Sequence, residues 1–377
     1  MVARRAASHS VATTPSLPDR RGTPPEMQAT PWNRKALLAA FEKSPSVLLP
    51  ALVLLFDFGL FAAGTVLVLL ASGLLLKLLG SAIVTVAIVR LFLIGHDACH
   101  GSYFNDARLN AICGRLAFLP SLTPYSLWEV GHNTAHHGFN NLKGRDQVWA
   151  PFSKPEFDAL PPHRQALERW YRSGLGWGAY YLVEMWWKKL YFPSRREIGS
   201  TRRRYKVDSL LVSAAAAAWV AAIAWTAVAT GQSIMLLVAL GFALPWLLWN
   251  GVIGFVVYLH HTSPQIAWFQ NRQEWQRRRA YLTSTTCVSF PFGLDRVLHN
   301  IMEHNAHHLN PGIPMFRLRA AQQFLREKFP DLCEYRVGAR NYMDVVRRCK
   351  LYDFAEHAWL DFDGRVMARV PLPATVG

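Results

Sequence analysis

Only five cysteines occur in 377 residues, and none of them forms a CxxC pair. That odd, scattered set excludes a disulfide scaffold and a cysteine-rich structural zinc site. It also excludes a built-in iron–sulfur cluster, which needs four thiolates in a recognised spacing. Charge is scarce as well: 18% of residues are Asp, Glu, Lys or Arg, against about a quarter in an ordinary soluble domain. Acidic residues are the scarcest part, 25 against 41 Lys and Arg, so the formal net charge is +16. Nucleic acid, anionic lipid or an acidic protein would each suit such a chain. No nucleic-acid motif is present, which sets the first aside.

Apolar residues make up 51% of the chain, and they are gathered in long blocks rather than spread as in a single soluble core. Four blocks are each long enough to cross a hydrocarbon layer of about 30 Å. They run over about 47–70, 74–94, 209–230 and 234–259. The expected fold class is therefore all-α: an integral membrane protein with four transmembrane helices in two hairpins. Asp57 interrupts the first block, Lys77 is expected to snorkel to the interface, and Pro245 is expected to kink the fourth span. The turns at 71–73 and 231–233 carry no basic residue, whereas 143–206 and the stretch after His261 carry many. The positive-inside bias then places both termini, the long middle segment and the residues beyond the fourth span in the cytoplasm. The expected location is a bacterial inner membrane.

Around this core, residues 1–36 read as a disordered cytoplasmic tail rich in Pro, Ser and Arg. Residues 37–329 read as the membrane domain and 330–377 as a cytoplasmic C-terminal segment. The aromatic stretch 174–190 suits either a helix lying in the headgroup region or a buried helix of a cytoplasmic helical cap.

Eight of the fourteen histidines fall in three short clusters: His96 and His100; His132, His136 and His137; His304, His307 and His308. Neutral imidazole is the commonest metal ligand, and eight are too many for one ion, so the pattern predicts a dimetal site. On a helix, residues three or four apart share a face. His96 with His100, His132 with His136, and His304 with His307 are thus each expected to aim at one point. A His-His doublet offers ligands to two metals from one helix. His261, closing the fourth span, is a candidate ninth ligand, with His260 as the competing choice. Imidazole suits Fe, Zn, Cu and Ni alike, so the ligands do not select the metal. Asp97, Glu129, His299 and Glu303 lie beside the clusters and are candidates for holding the outer ring nitrogen of a ligand. Asn133 and Asn305, inside the clusters, are candidate polar supports. His9, His163 and His357 are isolated and receive no role.

The pattern resembles the membrane fatty acid desaturases over about 37–329. The resemblance rests on GHDACHGSYF (95–104), GHNTAHH (131–137) and HNIMEHNAHHLNPGIPMF (299–316). It rests also on YLHHTSP (258–264), similar to a short QHTHP-like motif, in which His261 is the better match. Box three starts with His304 rather than Gln and the chain has no HPGG sequence, so it looks closer to methyl-end, omega-6-like desaturases than to front-end ones. The resemblance implies that the eight box histidines are catalytic and that, with His261, they hold two iron ions. It implies O₂ as co-substrate and a fatty acyl lipid as substrate. Electrons would come from an external ferredoxin or cytochrome b5 with its reductase, docked on the basic surface. A hydroxylase, ketolase or epoxygenase of the same fold is the near alternative, and a non-catalytic membrane metal-binding protein the distant one.

Overall fold

The computed structural model describes residues 34–44, 46–278, 280, 284–330 and 332–372. The expected disordered tail lies outside the described residues up to position 33. Its last residues belong to a short helical turn, Arg34–Leu37.

Among the described residues, four helices are long and apolar enough to cross a membrane: α1 (Leu48–Leu70), α2 (Leu74–Cys99), and, further on, Arg202–Ala229 and Ile234–His261. The apolar blocks located them, but two are longer than their apolar cores. The second continues through the first histidine box to Cys99. The third begins at Arg202, seven residues ahead of the apolar block.

Helix α1 buries Pro50, Asp57, Gly64 and Val68. These are spaced seven, seven and four residues apart, which is one helical stripe; most of the remainder is exposed apolar surface. Helix α2 is the central element, with about two-thirds of its span buried. The two helices meet at glycines. A Cβ on Gly80 would lie 2.8 Å from the Gly64 carbonyl oxygen, so only small residues allow this approach.

Between the first and second pairs of long helices come α3 (Ala107–Phe118), α4 (Tyr125–Val130) and α5 (Trp177–Tyr180). Helix α4 runs directly into a π-helical turn, Gly131–His136, and α5 into a longer one, Tyr181–Tyr191. The long helices that follow are α6 (Arg202–Ala229) and α7 (Ile234–His261). A π-helical turn at Ala239–Ala243 precedes Pro245 in α7. It absorbs the local mismatch that a ring lacking an N–H creates.

Lys77 does not snorkel. It is 4% exposed and donates to the Val68 carbonyl at 2.7 Å and to Gln232 Oε1 at 2.6 Å. Gln232 in turn donates to the Leu69 carbonyl at 2.8 Å. The turn between α6 and α7 is thereby tied to the turn between α1 and α2.

The fold is not all-α. Strand β1 (Cys287–Ser289) pairs in parallel with β2 (Glu334–Arg336). Strands β3 (Leu351–Asp353), β4 (Ala358–Leu360) and β5 (Val366–Arg369) form an antiparallel sheet in that order. Three-residue strands have too little alternation to register in the sequence. They also attach the C-terminal segment to the rest: Tyr352 N–H donates to the Phe152 carbonyl at 3.0 Å and Trp359 Nε1 to the Ile266 carbonyl at 3.3 Å. Residues after 330 thus pack into the same unit as the membrane helices.

Replacing Gly80 with Leu forces α1 from α2. The expected cost is about 1–3 kcal/mol of overpacking, read as a lowered thermal unfolding midpoint of the detergent-solubilised protein.

Candidate metal centre

The three boxes and the end of α7 meet at one place. His96 and His100 close α2; His132, His136 and His137 lie in and just after the π-helical turn following α4; His261 ends α7; His304, His307 and His308 lie on α8 (His304–Leu309). Their ring nitrogens fall into two groups. One contains His96, His100, His132, His137 and His307; the other contains His136, His261, His304 and His308. Within each group the ligand atoms lie within 4.8 Å of one another.

The pairing inside the boxes differs from the expected one. His96 and His100 share a group. His132 and His136 do not: His132 joins His137, five residues on. The π-helical turn is the cause, because its i→i+5 bond brings the His137 N–H to the His132 carbonyl at 2.9 Å. In box three, His304 joins His308 at four-residue spacing, and His307 joins the other group. Each doublet is therefore split, one histidine to each group. Between His260 and His261, it is His261 that enters a group. The His260 ring stacks on His304 with centroids 3.6 Å apart.

The arrangement fits metal binding. Nδ1 of His96 faces Asp97 Oδ1 at 3.3 Å, Nδ1 of His136 faces Asp146 Oδ1 at 3.0 Å, and Nδ1 of His304 faces the Ile301 carbonyl at 3.2 Å. Carboxylates and carbonyls accept only, so these Nδ1 atoms carry the proton and their Nε2 atoms present bare lone pairs. Those lone pairs point at other ring nitrogens. His96 Nε2 lies 2.8 Å from His132 Nε2, and His304 Nε2 lies 3.0 Å from His308 Nε2 and 3.3 Å from His261 Nε2. His137 Nε2 lies 3.1 Å from both His132 Nε2 and His307 Nε2. Such rows hold more acceptors than protons, and a cation amid each group satisfies them together. Burial, followed by the neighbouring imidazoles, holds His304, His307 and His308 well below the usual histidine range. They are neutral at pH 7 and ready to ligate.

The carboxylates nearest in sequence are mostly not the ones used. Asp97 does face His96, and its other oxygen accepts the Met315 N–H at 2.7 Å. Glu129 pairs instead with Arg204 at 2.9 Å. Glu303 pairs with Arg326 at 3.3 Å and accepts from Cys287 Sγ at 3.1 Å. His299 faces Asp57 Oδ2 at 2.8 Å, and Arg90 holds the other Asp57 oxygen at 2.6 Å. Arg90 also donates to the Val297 carbonyl at 3.0 Å. This buried knot anchors the chain entering box three to α1 and α2, and it accounts for the charge interrupting the first span.

Asp146 went unforeseen. It lies ten residues beyond His136, brought back by a turn in which it also accepts the Asn141 and Val148 N–H groups at 2.9 and 3.0 Å. Asp208 was also missed: it accepts the Ser126 N–H in the first turn of α4 at 2.8 Å and Arg115 Nε at 2.7 Å. The two box asparagines act as supports. Asn133 donates to the Cys99 carbonyl at 2.9 Å and Asn305 to the Thr285 carbonyl at 2.8 Å.

A cavity of about 290 Å³ opens beside the histidines. Phe92, Leu93, Trp128, Ile253 and Val256 give it apolar walls. Its lining also includes His96 and His132 from one group and His136, His261 and His304 from the other. Arg145, Gln147 and Lys189 form its polar part.

Four membrane-length helices, two polyhistidine groups that could each hold a metal ion and an adjoining apolar cavity suggest a membrane protein with a metal site. The comparisons agree. The fatty acid desaturase family model matches residues 72–338, and this chain belongs to that family, whose members are oxidoreductases. It is similar to the sn-1 oleoyl-lipid 12-desaturase of Picosynechococcus sp., 30% identical over 272 residues, or 72% of this chain and 75% of that protein. It is similar too to the chloroplastic omega-6 fatty acid desaturase of Glycine max, 31% identical over 268 residues, 71% of this chain and 60% of that one. The sn-1 oleoyl-lipid 12-desaturase of Synechocystis sp. is 27% identical over 277 residues, 73% of this chain and 76% of that one.

Two outcomes are expected from metal analysis of the purified protein. His136→Ala, which disrupts the four-histidine group alone, halves the metal bound per chain. Asp146→Asn leaves all nine histidines in place but weakens that group's hold on its metal by about 10–100-fold, measured by competition with a chelator.

Proposed function

We propose that this fatty acid desaturase introduces a double bond into the acyl chain of a membrane lipid, at an omega-6 or Δ12-like position. The observation that carries the reading is the apolar cavity whose wall bears histidines of both groups. A chain lying along Phe92, Trp128 and Val256 presents a pair of adjacent methylenes to both groups at once. The printed names of the relatives, oleoyl-lipid 12-desaturase and omega-6 desaturase, support the substrate class and position.

The nine histidines His96, His100, His132, His136, His137, His261, His304, His307 and His308 would hold two iron ions. Bound iron supplies the activation of O₂ needed to attack a methylene that has no acidic proton and no leaving group. The protein's own contribution is placement and dryness. The apolar walls exclude water and hold one carbon pair in register, while Asp97, Asp146 and the Ile301 carbonyl keep the ligand rings in the correct tautomer.

The overall reaction balances as follows. Two C–H bonds break and one C=C bond forms, releasing two electrons and two protons. O₂ takes those, with two electrons from an external donor and two protons from solvent, and leaves as two waters. A ferredoxin or a cytochrome b5 with its reductase suits the donor role, and the basic surface would steer an acidic donor to it. The charge bias of the sequence supports a cytoplasmic side for the histidines.

The test is gas chromatography with mass spectrometry of total fatty acids from cells expressing the chain and a compatible donor, beside His136→Ala. A new double bond found only with the intact chain is expected. A hydroxylated or keto product instead would replace desaturation with oxygen insertion.

A further inference from the structure

A second apolar hollow, of about 370 Å³, lies beside the first. It sits between α7 and the segment joining β1 to box three, with Trp177 of α5 also in its wall, and no charged side chain lines it. Val252, Phe255 and Val256 come from α7; Phe290, Leu294 and Leu298 come from the segment. Val256 also lines the cavity beside the histidines. One side chain, itself 4% exposed, thus stands between the two spaces.

The groove lies at lipid depth. Val252 to Val256 precede His261 by nine to five residues on one helix, about 8–14 Å along its axis. The segment forming its outer wall exposes large apolar side chains on the outside too, beside the charged Asp295 and Arg296. Phe292 is 99% exposed, Leu294 50% and Val297 40%. Phe292 takes a left-handed backbone conformation, φ +61°, which turns this large ring away from the fold. An exposed phenylalanine at such a tip, next to a membrane-spanning helix, is placed for lipid tails rather than water. The far end of the segment is held to α1 and α2 by the Asp57–Arg90–His299 knot, so the outer wall has a fixed place against the membrane helices.

Size argues in the same direction. The inner cavity alone, at about 290 Å³, is at the lower edge of the range of about 300–1,000 Å³ typical of small-ligand pockets. A long acyl chain needs further apolar room, and the groove adjoins it.

We propose that the groove between α7 and the 290–298 segment is the lateral entrance for the acyl chain of a membrane lipid. The chain slides past Val256 into the histidine-lined cavity while the lipid headgroup stays at the interface. This rests on the acyl-lipid reading above and deepens it by naming the route.

The experiment uses the iron-loaded full chain in phosphatidylglycerol nanodiscs in which one acyl chain carries a terminal diazirine. Photolysis and peptide mapping are expected to label residues 290–298 or the Val252–Val256 stretch. In parallel, Val252→Trp and Leu294→Trp fill the groove, and neither residue lines the inner cavity. Each is expected to lower the desaturation rate at least tenfold and to abolish the label, with iron content unchanged. Leu294, half exposed on the outer wall, can be enlarged without displacing buried side chains. Absence of label from these residues overturns the entrance. So does label present in the wild type with wild-type rates in both variants, which would make the groove a seat for a bystander lipid. The labelling does not depend on turnover. A wild-type protein that takes the label but forms no double bond would therefore overturn the desaturase reading and not the groove.

Discussion

Nine imidazoles with their metal-facing nitrogens turned toward one another are the constraint on which the rest of the structure depends. Ring nitrogens lie about 3 Å apart, three of the rings have their Nε2 lone pairs turned inward by an Nδ1 partner, and a cation in each group would satisfy them together. The long helices α2 and α7 deliver His96, His100 and His261 from their ends. Asp208 fixes the start of the helix leading to box two, and the Asp57 knot fixes the approach to box three. Ligands come from four separate parts of the chain, so the centre forms only when the membrane helices and the segments beyond them are packed together.

Splitting each His-His doublet between the two groups is the economical part of the design. One helix end serves both groups, which sets their separation by the width of a helix rather than by a flexible loop. The π-helical turn at box two adds the extra residue per turn that lets His132 and His137 converge while His136 points to the other group. The cavity follows from the same placement. Histidines of both groups and apolar residues of the helices line one and the same space.

Much of this was legible in the sequence because it depends on short-range pattern. Hydrophobic run length located all four long helices, and histidine spacing located eight of the nine histidines of the two groups; His261 was a candidate only from its place at the end of the fourth span, with His260 left open beside it. What was not legible depends on longer range. Asp146 reaches His136 through a turn, and no spacing rule leads there. Glu129, His299 and Glu303 lie close to box histidines in sequence, yet their charges are taken by Arg204, Asp57 and Arg326. Lys77 was read as an interface residue because the chain alone does not show that Gln232 would meet it. The pairing inside boxes two and three was misread because an α-helical period was assumed where the backbone adopts a π turn or a different face. The small sheets were invisible because strands of three or four residues leave almost no alternation.

Two distinct histidine groups, each able to hold one metal ion, underlie the proposed function. Diffraction from crystals of the iron-loaded protein, recorded at the iron absorption edge, tests this directly. The account predicts two anomalous peaks, one enclosed by His96, His100, His132, His137 and His307, the other by His136, His261, His304 and His308. A single peak shared by both sets, or iron bound away from them, would contradict it.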